Sequence, residues 1–76
     1  MIIEVQITIN EQDDLYVLTC PDIHDIKIQA SDISTGKNNI KRAIQIVINK
    51  CKKDNKSLPK FSNFQKENKD FVEVKI

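Results

Sequence analysis

The sequence predicts an α+β fold, β-β-β-α-β, in which one antiparallel or mixed sheet carries one long helix packed on one face. Three observations predict it. Apolar residues alternate at period two in three short stretches before residue 31. A stripe at helical period follows over residues 33–53, and a further alternating stretch occupies residues 71–76. Successive side chains of a strand point to opposite faces, whereas a helix gathers every third and fourth residue on one face, so the two periods separate the elements.

The first strand covers about residues 2–10. Ile3, Val5, Ile7 and Ile9 point one way and Glu4, Gln6, Thr8 and Asn10 the other. Glu11, Gln12, Asp13 and Asp14 connect it to the next strand. No glycine stands among them, which favours a loop somewhat longer than a two-residue mirror-image turn. Residues 15–20, LYVLTC, form the second strand of an antiparallel hairpin. Pro21 lacks an N–H and ends it, and Pro21, Asp22, Ile23, His24 and Asp25 make a turn. The third strand, residues 26–30, alternates Ile26, Ile28 and Ala30 with Lys27 and Gln29.

Asp32 stands at the N-cap of a helix over residues 33–53, where its carboxylate accepts bonds from first-turn N–H groups and suits the positive end of the dipole. Ile33, Ile40, Ala43, Ile44, Val47, Ile48 and Cys51 trace the apolar stripe, and Ile46 falls off it toward solvent. Gly36 lies on the stripe. It costs about 1 kcal/mol against Ala in a helix, and a close approach of helix to sheet would account for it. Lys50, Lys52 and Lys53 complement the dipole at the other end. Leu58 and Pro59 stop the helix, Phe61 and Phe64 anchor a crossing segment, and residues 65–70 form a charged loop. The last strand, residues 71–76, puts Val72, Val74 and Ile76 on one face. A single helix leaves the second sheet face open, carrying Thr8, Thr19 or Tyr16 according to register. Such faces and edges are docking surfaces.

The 76 residues suffice for one domain, 1–76, with one small core, a size that favours homodimers. The net charge of +1 argues against direct nucleic-acid binding. The basic run Lys50, Lys52, Lys53 and Lys56 has no interleaved aromatic for base stacking and reads as a solvated helix end. Two cysteines without a CxxC pair, and a single histidine, fall short of a metal site, so neither metal nor cofactor is expected. Cys20 and Cys51 read as reduced thiols. No signal peptide or membrane span is recognisable, which places the chain in the cytoplasm. Asp13, Asp14, Asp22, Asp25 and Asp32 are explained by turn and cap duty, whereas a metal-dependent nuclease needs convergent carboxylates. Cys20 and His24 lack a third orienting group for nucleophilic catalysis. A non-enzymatic binding role is the expectation.

Over about residues 1–61 the chain resembles the N-terminal domain of HicB-like antitoxins. Tyr16, Val17, Pro21, Asp22 and Ile23 fit the family's aromatic-Val-x-x-x-Pro-Asp-Leu stretch. The cap at Asp32, Asn39 and Ala43 in the helix and the Leu58-Pro59 exit follow in the family's order. It departs from the family at His24-Asp25, where Pro-Gly is common, and at Ala30-Ser31, where Gly-Asp is common. It departs again at Gly36, where Ala is usual, and in a helix that is basic rather than rich in Glu. The resemblance implies a partial RNase H-like fold without a catalytic set, and a protein that silences an RNA-cleaving toxin by occluding it. Full-length members carry a C-terminal DNA-binding module. This sequence shows one strand after the helix, so operator binding is not carried over.

Asp13, Asp14, Asp22 and Asp25, with Tyr16 and His24, are the residues expected to meet a partner, because an acidic cluster complements a cationic RNA-binding protein. Pro21, Asp32 and Gly36 are expected to serve structure. Two other readings stand beside the antitoxin. One is an orphan HicB-like inhibitor, of phage or mobile-element origin, acting on a host nucleic-acid defence enzyme. The other is the remnant of a small metal-dependent nuclease or hydrolase.

Overall fold

A computed structural model describes residues 1–61 and 70–76. The elements are β1 (Ile2–Gln6), β2 (Thr8–Gln12), β3 (Leu15–Cys20), β4 (Ile23–Ala30), α1 (Ile33–Lys53) and β5 (Phe71–Lys75). The α+β class is as expected, but four strands rather than three precede the helix, in two antiparallel sheets. β1 pairs with β5, and β2–β3–β4 form the other sheet in that order.

The extra strand arises from a break at Ile7 in the first alternating stretch. Residues before the break pair with β5, from Ile2 opposite Lys75 to Gln6 opposite Phe71. Those after it pair with β3, from Thr8 opposite Thr19 to Gln12 opposite Leu15. The Ile7 N–H donates to the Asp70 carbonyl at 3.1 Å, and its side chain is fully buried. One continuous alternation therefore serves two partners, and Val5 before the break and Ile7 at it enter the same core.

Two turns also differ from expectation. β2 and β3 are joined by Asp13 and Asp14 alone, with φ of 48° and 66°. A two-residue mirror turn needs positive φ at both positions, which Asp tolerates better than most residues because its short carboxylate bonds locally. Replacing Asp14 by Gly should relieve that strain. We expect a stabilisation of about 1 kcal/mol, read as a raised urea midpoint, and a lowered midpoint would contradict the turn assignment.

The second turn is only Pro21 and Asp22, because β4 already begins at Ile23. Cys20 faces Ile23 while Thr19 faces Lys27, so His24, Asp25 and Ile26 form a bulge within β4 rather than a loop. The bulge leaves His24 and Asp25 exposed and turns Ile26 inward.

α1 lies against β3, β4 and β5. Its start follows from Asp32, whose extended backbone and carboxylate cap the first turn: Oδ1 accepts from the Thr35 N–H at 2.7 Å and Oδ2 from the Thr35 hydroxyl at 3.0 Å. Its end is a Schellman motif. Asn55 takes the left-handed φ of 56°, the Lys56 N–H donates to the Cys51 carbonyl at 2.8 Å and the Asn55 N–H to that of Lys52 at 3.3 Å. Ile40, Ile44 and Ile48 are fully buried along the stripe, while Ala43, Val47 and Cys51 are half-buried on its flank. Ile33 falls on the stripe by period, yet it is 40% exposed at the helix start. Ile46 is exposed as its position predicts.

Gly36 is where helix and sheet meet most closely. A Cβ there would stand 2.5 Å from Leu18 Cδ1, 3.2 Å from Leu18 Cδ2 and 3.4 Å from Ala30 Cβ. Leu58 and Phe61 are partly buried against the core. Phe64 and most of the predicted 65–70 loop lie outside the described residues.

Candidate functional site

The register settles which side chains face outward. Leu18 meets Gly36, so it points to the helix, and alternation turns Val17 and Thr19 to the outer face. Thr8 and Thr19 stand opposite each other there, and Asn10 and Gln29 flank Val17. Val17 is 6% exposed on this side because it sits on the central strand between those two neighbours. Tyr16 shares the helix side with Leu18, opposite Ala30, and is half-buried against the core. Its ring is thus largely packing, with its exposed part at the sheet margin.

The acidic residues do not gather into one cluster. Asp13 and Asp14 tip the β2–β3 hairpin, beside exposed Glu11. Asp22, His24 and Asp25 lie at the opposite end of β3, roughly 20 Å away for a six-residue strand. They form two acidic ends of one sheet. Asp13, Asp14, His24 and Asp25 are exposed and Asp22 is half-buried. No group of three or more His, Cys, Asp or Glu among the described residues is arranged to hold a metal ion.

Cys20 is buried at the Pro21–Asp22 turn. Burial pushes its thiol pKa up, outweighing the backbone N–H groups of Asp22 and Ile23, which favour the thiolate, while the Asp22 charge adds to the rise. The folded chain therefore holds this proton more tightly than the unfolded one. Its stability contribution is complete below the ordinary thiol value and is lost as pH rises through the raised one. Cys51 is only half-buried. Iodoacetamide at mildly alkaline pH should modify Cys51 well before Cys20; equal rates in the folded protein would contradict this placement.

One polar device carried no signal in the sequence. The Gln45 carboxamide, on the flank of α1, pairs with the backbone of Lys75. Its oxygen accepts the Lys75 N–H at 2.9 Å and its nitrogen donates to the Lys75 carbonyl at 2.7 Å. Nε2 also donates to Asn49 Oδ1 at 3.2 Å. The side chain thus takes the place of a neighbouring strand at this point of β5, one way in which sheets guard an edge. Beside it runs an open groove of about 140 Å³ lined by Ile2, Lys41, Gln45, Glu73, Val74 and Lys75. Typical small-molecule sites occupy about 300–1,000 Å³, so this groove is small for a cofactor.

The described residues thus offer an uncovered sheet face with acidic ends rather than a cleft. No helix among them is long and apolar enough to cross a membrane. In comparisons with family models, curated proteins and solved structures, the chain matches none.

Proposed function

We propose that this chain is a non-enzymatic, HicB-like binding protein of the cytoplasm that occludes an RNA-cleaving toxin. The observation that carries the reading is the pair of acidic turns at the two ends of a sheet face that the helix leaves free. Residues 1–32 contribute Glu4, Glu11, Asp13, Asp14, Asp22, Asp25 and the capping Asp32 against Lys27 alone. Asp13 and Asp14 at one end and Asp22 and Asp25 at the other bracket the face that the helix leaves free. An enzyme that binds RNA presents cations, and acidic turns at the two ends of such a face steer that partner into contact and fix its orientation. Occlusion requires about 1,200–2,000 Å² of total buried surface, for which a sheet face with both its end turns is suited. Homodimerisation would enlarge that surface.

The experiment is to recover the tagged chain from its native cells and identify what co-purifies. A stoichiometric small basic protein with a double-stranded-RNA-binding-like sequence supports the antitoxin. A large defence nuclease in its place would move the assignment to an orphan inhibitor. Recovery of the chain alone would argue against both.

A further inference from the structure

The near-neutral total charge conceals a segregation. α1 carries Lys37, Lys41, Arg42, Lys50, Lys52 and Lys53 and no acidic residue. Lys37 is half-buried and the other five are exposed. The inner stripe of the helix is consumed by the core. Helical spacing turns Arg42 and Lys53 directly away from it and puts Lys50 and Lys52 on the two flanks, while Lys41 lines the groove beside Glu73. From Arg42 to Lys53 the outward cations span about 16 Å of helix axis. That length matches about five base-pair steps of a duplex, whose strands each present one phosphate per roughly 3.4 Å.

We infer that the outer face of α1 binds the phosphate backbone of double-stranded nucleic acid. Charge complementarity is the driving term, since a polyanion releases its counterions to a row of Lys and Arg. The neutral residues on this surface suit the same occupant. Asn38, Asn39 and Asn49 are exposed among the cations and supply neutral donors of the kind that bond phosphate and sugar. The face has no aromatic for stacking unpaired bases, which favours a duplex over a single strand. Its one large apolar residue is Ile46, too little for insertion into lipid.

The test is fluorescence anisotropy of the full chain with labelled duplex RNA and duplex DNA, each titrated at several salt concentrations. Binding weaker than about 10⁻⁶ M but detectable below about 10⁻⁴ M is expected. With about four phosphates neutralised, the logarithm of the affinity should fall against that of salt with a slope of about −3.6. Comparable affinity for both duplexes supports backbone recognition, and preference for RNA adds contacts to its sugar hydroxyls. The triple variant Arg42→Glu, Lys50→Glu, Lys53→Glu should bind at least tenfold more weakly and reduce the slope by about three. Circular dichroism checks its fold, and Arg42→Gln with Lys53→Gln serves if charge reversal disturbs it. No duplex binding by the parent chain at about 10⁻⁴ M, binding that survives loss of the cations, or binding to phosphatidylserine vesicles but not to duplexes would each overturn the inference.

Discussion

Ile44→Ala is expected to unfold most of the protein at room temperature. Ile44 is fully buried between Ile40 and Ile48 on the stripe that α1 presses against the sheets. Truncating a buried Ile to Ala removes transfer energy and leaves a cavity, at a cost of about 2–5 kcal/mol. A core of this size rarely supplies more than about 3–5 kcal/mol, so the loss is comparable to the whole stability. Far-UV circular dichroism with urea titration measures it. The control is Ile46→Ala, two residues on and 66% exposed, which should shift stability by no more than about 0.5 kcal/mol. Equal effects at the two positions would mean that the helix is rotated from the orientation described.

Gly36 carries the second large effect, because there the usual helix rule reverses. Gly to Ala within a helix ordinarily gains about 1 kcal/mol. Here the new Cβ would lie 2.5 Å from a methyl of Leu18, so that fully buried side chain must shift within the packed core. Overpacking of that kind costs about 1–3 kcal/mol. Gly36→Ala should therefore destabilise, and Gly36→Val more severely. Shortening the obstructing side chain tests the cause. The double variant Leu18→Val with Gly36→Ala should be less destabilised than the sum of the two single changes, by a coupling of about 0.5–3 kcal/mol. Strict additivity would place the cost elsewhere than this contact.

These two positions illustrate what local pattern can disclose. The helix is legible to the residue, 33–53, because its stripe, the Asp32 cap and the terminal lysines all agree. Gly36 on the apolar stripe signals close approach, and the structure supplies the contact. The break at Ile7 has no local cause. Its N–H is claimed by Asp70, far along the chain, and the alternation passes through it unchanged. The Asp13 and Asp14 turn was obscured by the preference for glycine at positive φ, which the two-residue connection overrides. Likewise His24 and Asp25 look like turn residues, yet pairing with β3 carries them into a bulge.

The candidate site was legible in composition more than in place. The acidic residues foreseen as one group lie at two ends of β3, because a strand separates in space what the sequence sets a few residues apart. Tyr16, an aromatic beside an acidic turn, suggests a contact residue, and the register puts it on the helix side, half-buried at the sheet margin. Gln45 reveals nothing by itself, since its role comes from a backbone group on β5. The charge segregation was open to view in the sequence, but a whole-chain sum conceals it. Only the elements of the fold set the cations of the helix apart from the acidic turns of the sheet.

An RNA-cleavage assay with purified components tests the central claim, that this chain acts by covering a partner and has no chemistry of its own. The chain alone, with and without divalent metal, should leave a labelled RNA intact. Its co-purifying partner alone should cut it, and one equivalent of the chain should abolish that cutting. An Asp13→Lys, Asp14→Lys, Asp25→Lys variant, still folded, should inhibit at least tenfold less well. Metal-dependent cleavage by the chain alone, lost on replacing Asp22, would contradict the account and revive a catalytic role, and undiminished cutting in the presence of excess chain would contradict the occlusion.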